Sequence, residues 1–213
     1  MSYLAARRQE EKERRRGDIL DAAEVVAGRA GVDGLAMEEV AREARLSRAL
    51  LYVYFRDKAD LTAAVCERAL AELHQRFVAA THTVPSGADK VLAIGRAYVA
   101  FARELPVKFE FLARLEARDT SPAPPDGNLR ACLAAGNRVH DVMLTALEAG
   151  LADGSVSRAV GEPNTVCMSL WALMHGVLQI ANLKGGVLAS RGVSAEALVD
   201  QALRLATVSL AKC

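Results

Sequence analysis

The chain has 213 residues, 52% of them hydrophobic and 25% charged, which suits a globular protein of one or two domains with a substantial core and excludes a disordered chain. Its net charge of +1 excludes a general attraction to polyanions, so any nucleic-acid contact must come from a local cluster. The cysteines, Cys66, Cys132, Cys167 and Cys213, lie far apart with no C-x-x-C, so neither a metal site nor a disulfide framework is expected, and a reducing cytoplasm is.

Residues 1–16, MSYLAARRQEEKERRR, mix charges of both signs and hold no apolar run of signal-peptide length. They read as the solvated start of a helix; a flexible arm for the DNA minor groove is the weaker alternative. Ile19, Ala22, Ala23, Val26 and Ala30 follow helical spacing, and Gly31 stands where a helix ends, so a first helix is predicted over about 10–30. Residues 37–44 put Met37, Val40, Ala41 and Ala44 on one face of a short helix. Ser47 is a natural N-cap for a second short helix over 48–55. Asp57, with Asp60 as a capping-box partner, should open a long helix over about 58–81. Residues 81–89 read as a loop, and later helices are expected over 88–104, 106–117, 127–150, 162–184 and 194–211. Pro106 and Pro163 suit first-turn positions. TSPAPPDGN, residues 120–128, is the strongest linker, and 151–162 a further loop. Strand patterning is almost absent, so the fold class is all-α. The most apolar run, residues 169–183, carries His175, Gln179 and Asn182 and is too short to span a bilayer; a buried helix is expected and no membrane.

Three of the chain's ten aromatics, Tyr52, Tyr54 and Phe55, crowd into LSRALLYVYFRDKADL, residues 46–61. Leu51 and Phe55 share a helical face and should anchor the helix 48–55 to the first helix. Around them Arg42, Arg45, Arg48, Arg56 and Lys58 outnumber Glu43 and Asp57. Two short helices joined by a tight turn and packed on a longer one make a helix-turn-helix, whose second helix enters the major groove. Cations and tyrosine hydroxyls supply phosphate contacts there. Tyr54 above all, and Tyr52, are left for DNA, and Lys58 sits at a helix N-terminus where a phosphate is favoured.

This segment, with ILDAAEVVAGRAGVDGLAMEEVAREARLS upstream at residues 19–47, resembles the DNA-binding region of the TetR family of bacterial transcriptional regulators over about residues 10–65. The resemblance implies a three-helix DNA-binding domain, residues 1–60, and a C-terminal helical bundle for ligand binding and dimerisation, residues 61–213. It implies that Ser47, Arg48, Ala49 and Leu50 begin the recognition helix, that Tyr52 and Tyr54 touch DNA and that Lys58 binds phosphate. The sequence departs from the family pattern in three places. Arg45 replaces the usual turn glycine, either straining the turn or adding a phosphate contact. Ala49 stands where glycine is common. Ala36 lacks the hydroxyl that usually caps the second helix.

Residues 59–213 carry equal numbers of acids and bases, so DNA is not their partner. The last helix has a broad apolar arc, and the helix over 162–184 is apolar on several sides, which suits burial against a second subunit as well as within the chain. The family resemblance implies a homodimer built on these two helices, with Trp171, Leu178, Leu198, Ala202 and Leu205 at the interface. An effector pocket is expected among the helices from 58 to 184. Its candidates are Phe101, Phe109, Arg114, Asn137, His140, Met143, Trp171 and His175, since a polar group inside an apolar bundle needs a partner.

No nucleophile–base set, zinc spacing or phosphate loop appears, so no enzyme, metal or cofactor is expected. The reading is a ligand-responsive regulator, a repressor released from a palindromic double-stranded DNA operator by a small apolar effector. The alternative, an all-helical small-molecule or partner-binding module without DNA function, leaves the Arg/Tyr/Lys cluster without a role.

Overall fold

The computed structural model describes residues 3–116 and 127–210. Among the described residues there are ten α-helices, one 3-10 turn and no strand. The helices are α1 (Tyr3–Ala30), α2 (Met37–Glu43), α3 (Arg48–Tyr54), α4 (Lys58–Thr81), α5 (Gly87–Glu104) and α6 (Pro106–Glu116). After the linker come α7 (Gly127–Asp153), α8 (Pro163–Leu183), α9 (Gly185–Ser190) and α10 (Ala195–Leu210), with the 3-10 turn at Arg158–Val160. Most of the predicted linker lies outside the described residues; its last two, Gly127 and Asn128, already belong to α7.

The chain forms two compact units. One comprises Met1–Ala69 and Val107–Ala134, the other Leu70–Pro106 and Ala135–Cys213. In the first unit the α1 face is built by Ile19, Ala22, Ala23 and Val26 as the spacing predicts. Ala30 is exposed instead, and Leu20 and Ala27 complete the buried stripe. The helix stops at Gly31, whose φ of 73° is open to glycine at little cost. Arg68 of α4 ties the unit together, reaching Asp21 and Glu24 of α1 at 2.6 Å each.

In the second unit α10 packs against α8 and α5. Gly87 opens α5 hard against Gly150 of α7; a methyl group at either position would collide, with Gly150 backbone in one case and Val156 in the other. Asp153 and Ser155, from the end of α7 and the turn after it, accept the first N–H groups of α5, from Gly87 at 2.8 Å and Ala88 at 3.0 Å. Glu162 caps α8 by accepting from Asn164 and Thr165, with Pro163 in the first turn. α8 is longer than the apolar run the sequence singled out, and by length and composition it could cross a membrane. Its Cys167, Leu170, Met174, His175 and Leu178 are nonetheless buried within the unit.

Candidate nucleic-acid interface

α3 is seven residues long, and only Leu51 within it is buried. Leu51 and the residue after the helix, Phe55, are both fully buried and hold α3 on the first unit. Ser47 caps it, its hydroxyl accepting from the Leu50 N–H at 3.2 Å. The remaining positions turn outward. Arg48 and Ala49 are exposed, Leu50 is half-buried, Tyr52 is 40% exposed and Val53 77%. Tyr54 is half-buried, so Tyr52 is the ring that stands further into solvent. Arg48 lies over the Tyr52 ring, 5.6 Å from its centroid, and pairs with Glu38 of α2 at 2.9 Å.

The turn between α2 and α3 closes as a Schellman motif. The Arg45 N–H donates to the Arg42 carbonyl at 3.1 Å, and the Leu46 N–H to the Ala41 carbonyl at 2.9 Å. That closure puts Arg45 at a φ of 55°. Ala36 precedes α2 in an extended conformation with no side-chain cap.

After α3 the Asp57 carboxylate accepts from the Asp60 N–H at 2.8 Å. Asp60 reaches back one residue further than a capping box requires, accepting from the Arg56 N–H at 3.1 Å. Its carboxylate also accepts from the Asn128 amide at 3.0 Å and pairs with the Arg56 guanidinium. Burial pushes the Asp60 carboxyl up, but these hydrogen bonds and the cation outweigh it and hold the group below its ordinary range. Lys58, at the start of α4, donates through Nζ to the Asp33 carbonyl at 2.7 Å.

Of the expected effector residues, His140, Trp171 and His175 are brought together in the second unit. Phe109 and Arg114 belong to the first unit. Arg114 is exposed and pairs with Asp33 at 2.9 Å, and Asn137 is also exposed, so the argument from enclosed polarity fails for both. In the second unit His175 is buried. Its Nδ1 meets the Tyr98 hydroxyl at 2.6 Å and its Nε2 the Gln179 amide at 2.6 Å. Trp171, half-buried, lies between His175 and His140, with ring centroids 5.9 and 5.4 Å away. Phe101 is fully buried and Met143 half-buried. The second unit does carry an open cleft of about 380 Å³, lined by His74, Val78 and Thr81 of α4, Lys90 of α5, and Arg138, Asp141, Val142, Thr145, Ala146 and Ala149 of α7. None of the predicted effector residues lines it. Helical spacing alone could have grouped Arg138, Asp141, Val142 and Thr145 on one face of α7, but their polarity reads as ordinary solvated surface. Among the described residues no His/Cys/Asp/Glu group is placed to hold a metal ion.

Of the interface residues implied by the resemblance, Leu178 and Ala202 are buried within the chain itself, Trp171 and Leu198 are half-buried, and Leu205 is exposed. The large apolar side chains left exposed on α8 and α10 are Met168, Leu173, Ile180, Leu183 and Val208 together with Leu205.

A capped, outward-facing short helix that follows α1 and α2 in one helical unit, in a chain with a second, larger helical unit, is the arrangement of a helix-turn-helix transcription regulator. The sequence matches the description "Bacterial regulatory proteins, tetR family" over residues 19–65 and "Tetracyclin repressor-like, C-terminal domain" over residues 91–206. The chain belongs to the TetR family, with a DNA-binding helix-turn-helix and a C-terminal ligand-binding domain. No curated protein matches it. Among solved structures, a protein of unknown function from Rhodococcus sp. RHA1 is 25% identical with a TM-score of 0.73, covering 93% of this chain and 95% of that one. A transcriptional regulator from Saccharomonospora viridis, solved with choline, is 16% identical at a TM-score of 0.73, covering 93% and 98%. FadR from Bacillus subtilis, solved with stearoyl-CoA, is 14% identical at 0.69, covering 91% and 98%. The latter two show likeness of fold.

Proposed function

We propose that the chain is a ligand-responsive, sequence-specific regulator that works in the cytoplasm as a homodimer and represses transcription from a palindromic operator until a small apolar effector releases it. Residues 1–60 read the DNA and residues 61–213 bind the effector and pair the subunits. Ser47, Arg48, Ala49, Leu50, Tyr52, Tyr54 and Lys58 make the DNA contacts. The observation that carries this reading is α3 itself, too short to build a core, anchored by Leu51 and Phe55, and presenting Arg48 and Tyr52 to solvent. α4 is one continuous helix with Lys58 at its start and cleft residues His74 and Val78 further along, which supports a route for an effector to alter DNA affinity. The same fold holds choline in one neighbour and stearoyl-CoA in another.

The test is selection of duplexes from a random pool, followed by anisotropy titration at several salt concentrations. Selected sequences should show two inverted half-sites with centres about 34 Å apart on the duplex, and affinity should fall steeply with salt. Tyr52→Ala should weaken binding about tenfold with the melting temperature unchanged. A chain that selects no sequence and binds no duplex even at low salt would be a helical binding module instead.

A further inference from the structure

Arg45 stands apart from its surroundings in two respects. The other positive-φ residues among those described are glycines; Arg45 holds a φ of 55° with a full side chain. The turn does not need that side chain. Both hydrogen bonds that close it are made by backbone, from Arg45 to Arg42 and from Leu46 to Ala41, and a glycine would make them without crowding a Cβ.

The neighbouring cations are engaged. Arg29 is paired with Glu43 at 2.9 Å, Arg42 with Glu39 at 2.7 Å and Arg48 with Glu38 at 2.9 Å, while Lys58 is held by the Asp33 carbonyl. Among the described residues the Arg45 side chain makes no such ion pair or hydrogen bond, and it is exposed. A strained backbone carrying an uncommitted guanidinium, two residues before the cap of α3, calls for an anionic partner outside the chain.

We propose that Arg45 is a DNA-phosphate contact, which rests on the DNA-binding reading above. Phosphate is the fitting partner because Arg45 sits in the turn, outside the helix whose side chains are free to reach base edges. A guanidinium also presents a fork of donors matched to phosphate oxygens. The contact adds affinity on every sequence and none of the discrimination.

The experiment titrates wild-type protein, Arg45→Gly and Arg45→Lys against a mixed-sequence duplex across a salt series, with a thermal melt of each variant. Arg45→Gly should bind about three- to tenfold more weakly, with a log–log salt slope shallower by about two, one contact from each subunit, and melt at the wild-type temperature or above. Arg45→Lys should keep the slope. A glycine variant with wild-type affinity and slope overturns the assignment, and so does a weakening that accompanies a lowered melting temperature and is not restored by lysine. Wild-type protein that binds no duplex at low salt would remove the DNA-binding reading first, and this contact with it.

Discussion

Asp60 shows how one carboxylate can hold a functional segment in shape. Its side chain is 8% exposed, and it joins the segment between α3 and α4 to the start of α4 and the start of α7 through Arg56 and Asn128. Because its carboxyl titrates below the ordinary carboxylate range in the folded chain, the stability it confers is fully present above that range and is lost as pH falls from there through the lowered folded value. Asp60→Asn should therefore lower the melting temperature at neutral pH, and the gap to wild type should narrow between about pH 5 and pH 3. Thermal melts across that series check it; a gap that stays constant would mean the carboxylate charge is not what the site uses. The sequence revealed Asp60 as a cap partner, since spacing sets that role, but not its bond to Asn128, which lies 68 positions away. Arg45 was legible as a departure from pattern, yet its left-handed backbone follows from two closing hydrogen bonds that no residue type announces.

At the scale of elements, helices were legible where apolar periodicity and caps agree. α4 begins and ends where the Asp57 cap and the loop after Thr81 place it. α1 begins earlier than its apolar stripe because exposed pairs support the extra turns, Gln9 with Glu13 at 2.7 Å and Arg14 with Glu11 at 2.8 Å, and such pairs leave no hydrophobic period. α9 was missed because Gly185 and Gly186 at its start argue against a helix. The cleft was not legible for a related reason. The candidates His175, Trp171 and His140 pack on one another and, through Tyr98, continue to Phe77, while the open cleft is lined largely by charged, threonine and small apolar side chains. α2 exposes a defect that the sequence did announce: Ala36 offers no oxygen to the first free N–H groups. Ala36→Ser should stabilise the first unit by about 1 kcal/mol, read by urea denaturation. No change in the midpoint would mean that water already satisfies those groups as well as a hydroxyl would.

For the whole molecule the deciding feature is the apolar surface that a single chain leaves open. α8 and α10 pack together within the second unit, yet Leu205 remains 54% exposed and Val208 72%, beside Met168, Leu173 and Ile180. Gly176, near the middle of the open arc on α8, has nothing within 4 Å of where a side chain would begin, so another helix could approach closely there. An apolar face of this kind is costly in water and would be relieved by the proposed pairing with a second copy. Twofold pairing is also what the proposed palindromic operator would require, each subunit supplying one α3 to one half-site. Leu205→Glu places a charge on that face without touching the buried core. Sedimentation should show wild-type protein at twice 22.8 kDa and the variant at 22.8 kDa, with the helical signal preserved. Its affinity for a full operator should fall toward that for a single half-site, and its salt slope should roughly halve, since half the phosphate contacts are lost. Leu178→Glu is the control, because Leu178 is 2% exposed and a charge there must disrupt the chain's own packing. Leu205→Glu that stays paired and binds the full operator as tightly as wild type would show that the open face on α8 and α10 is not where the copies meet.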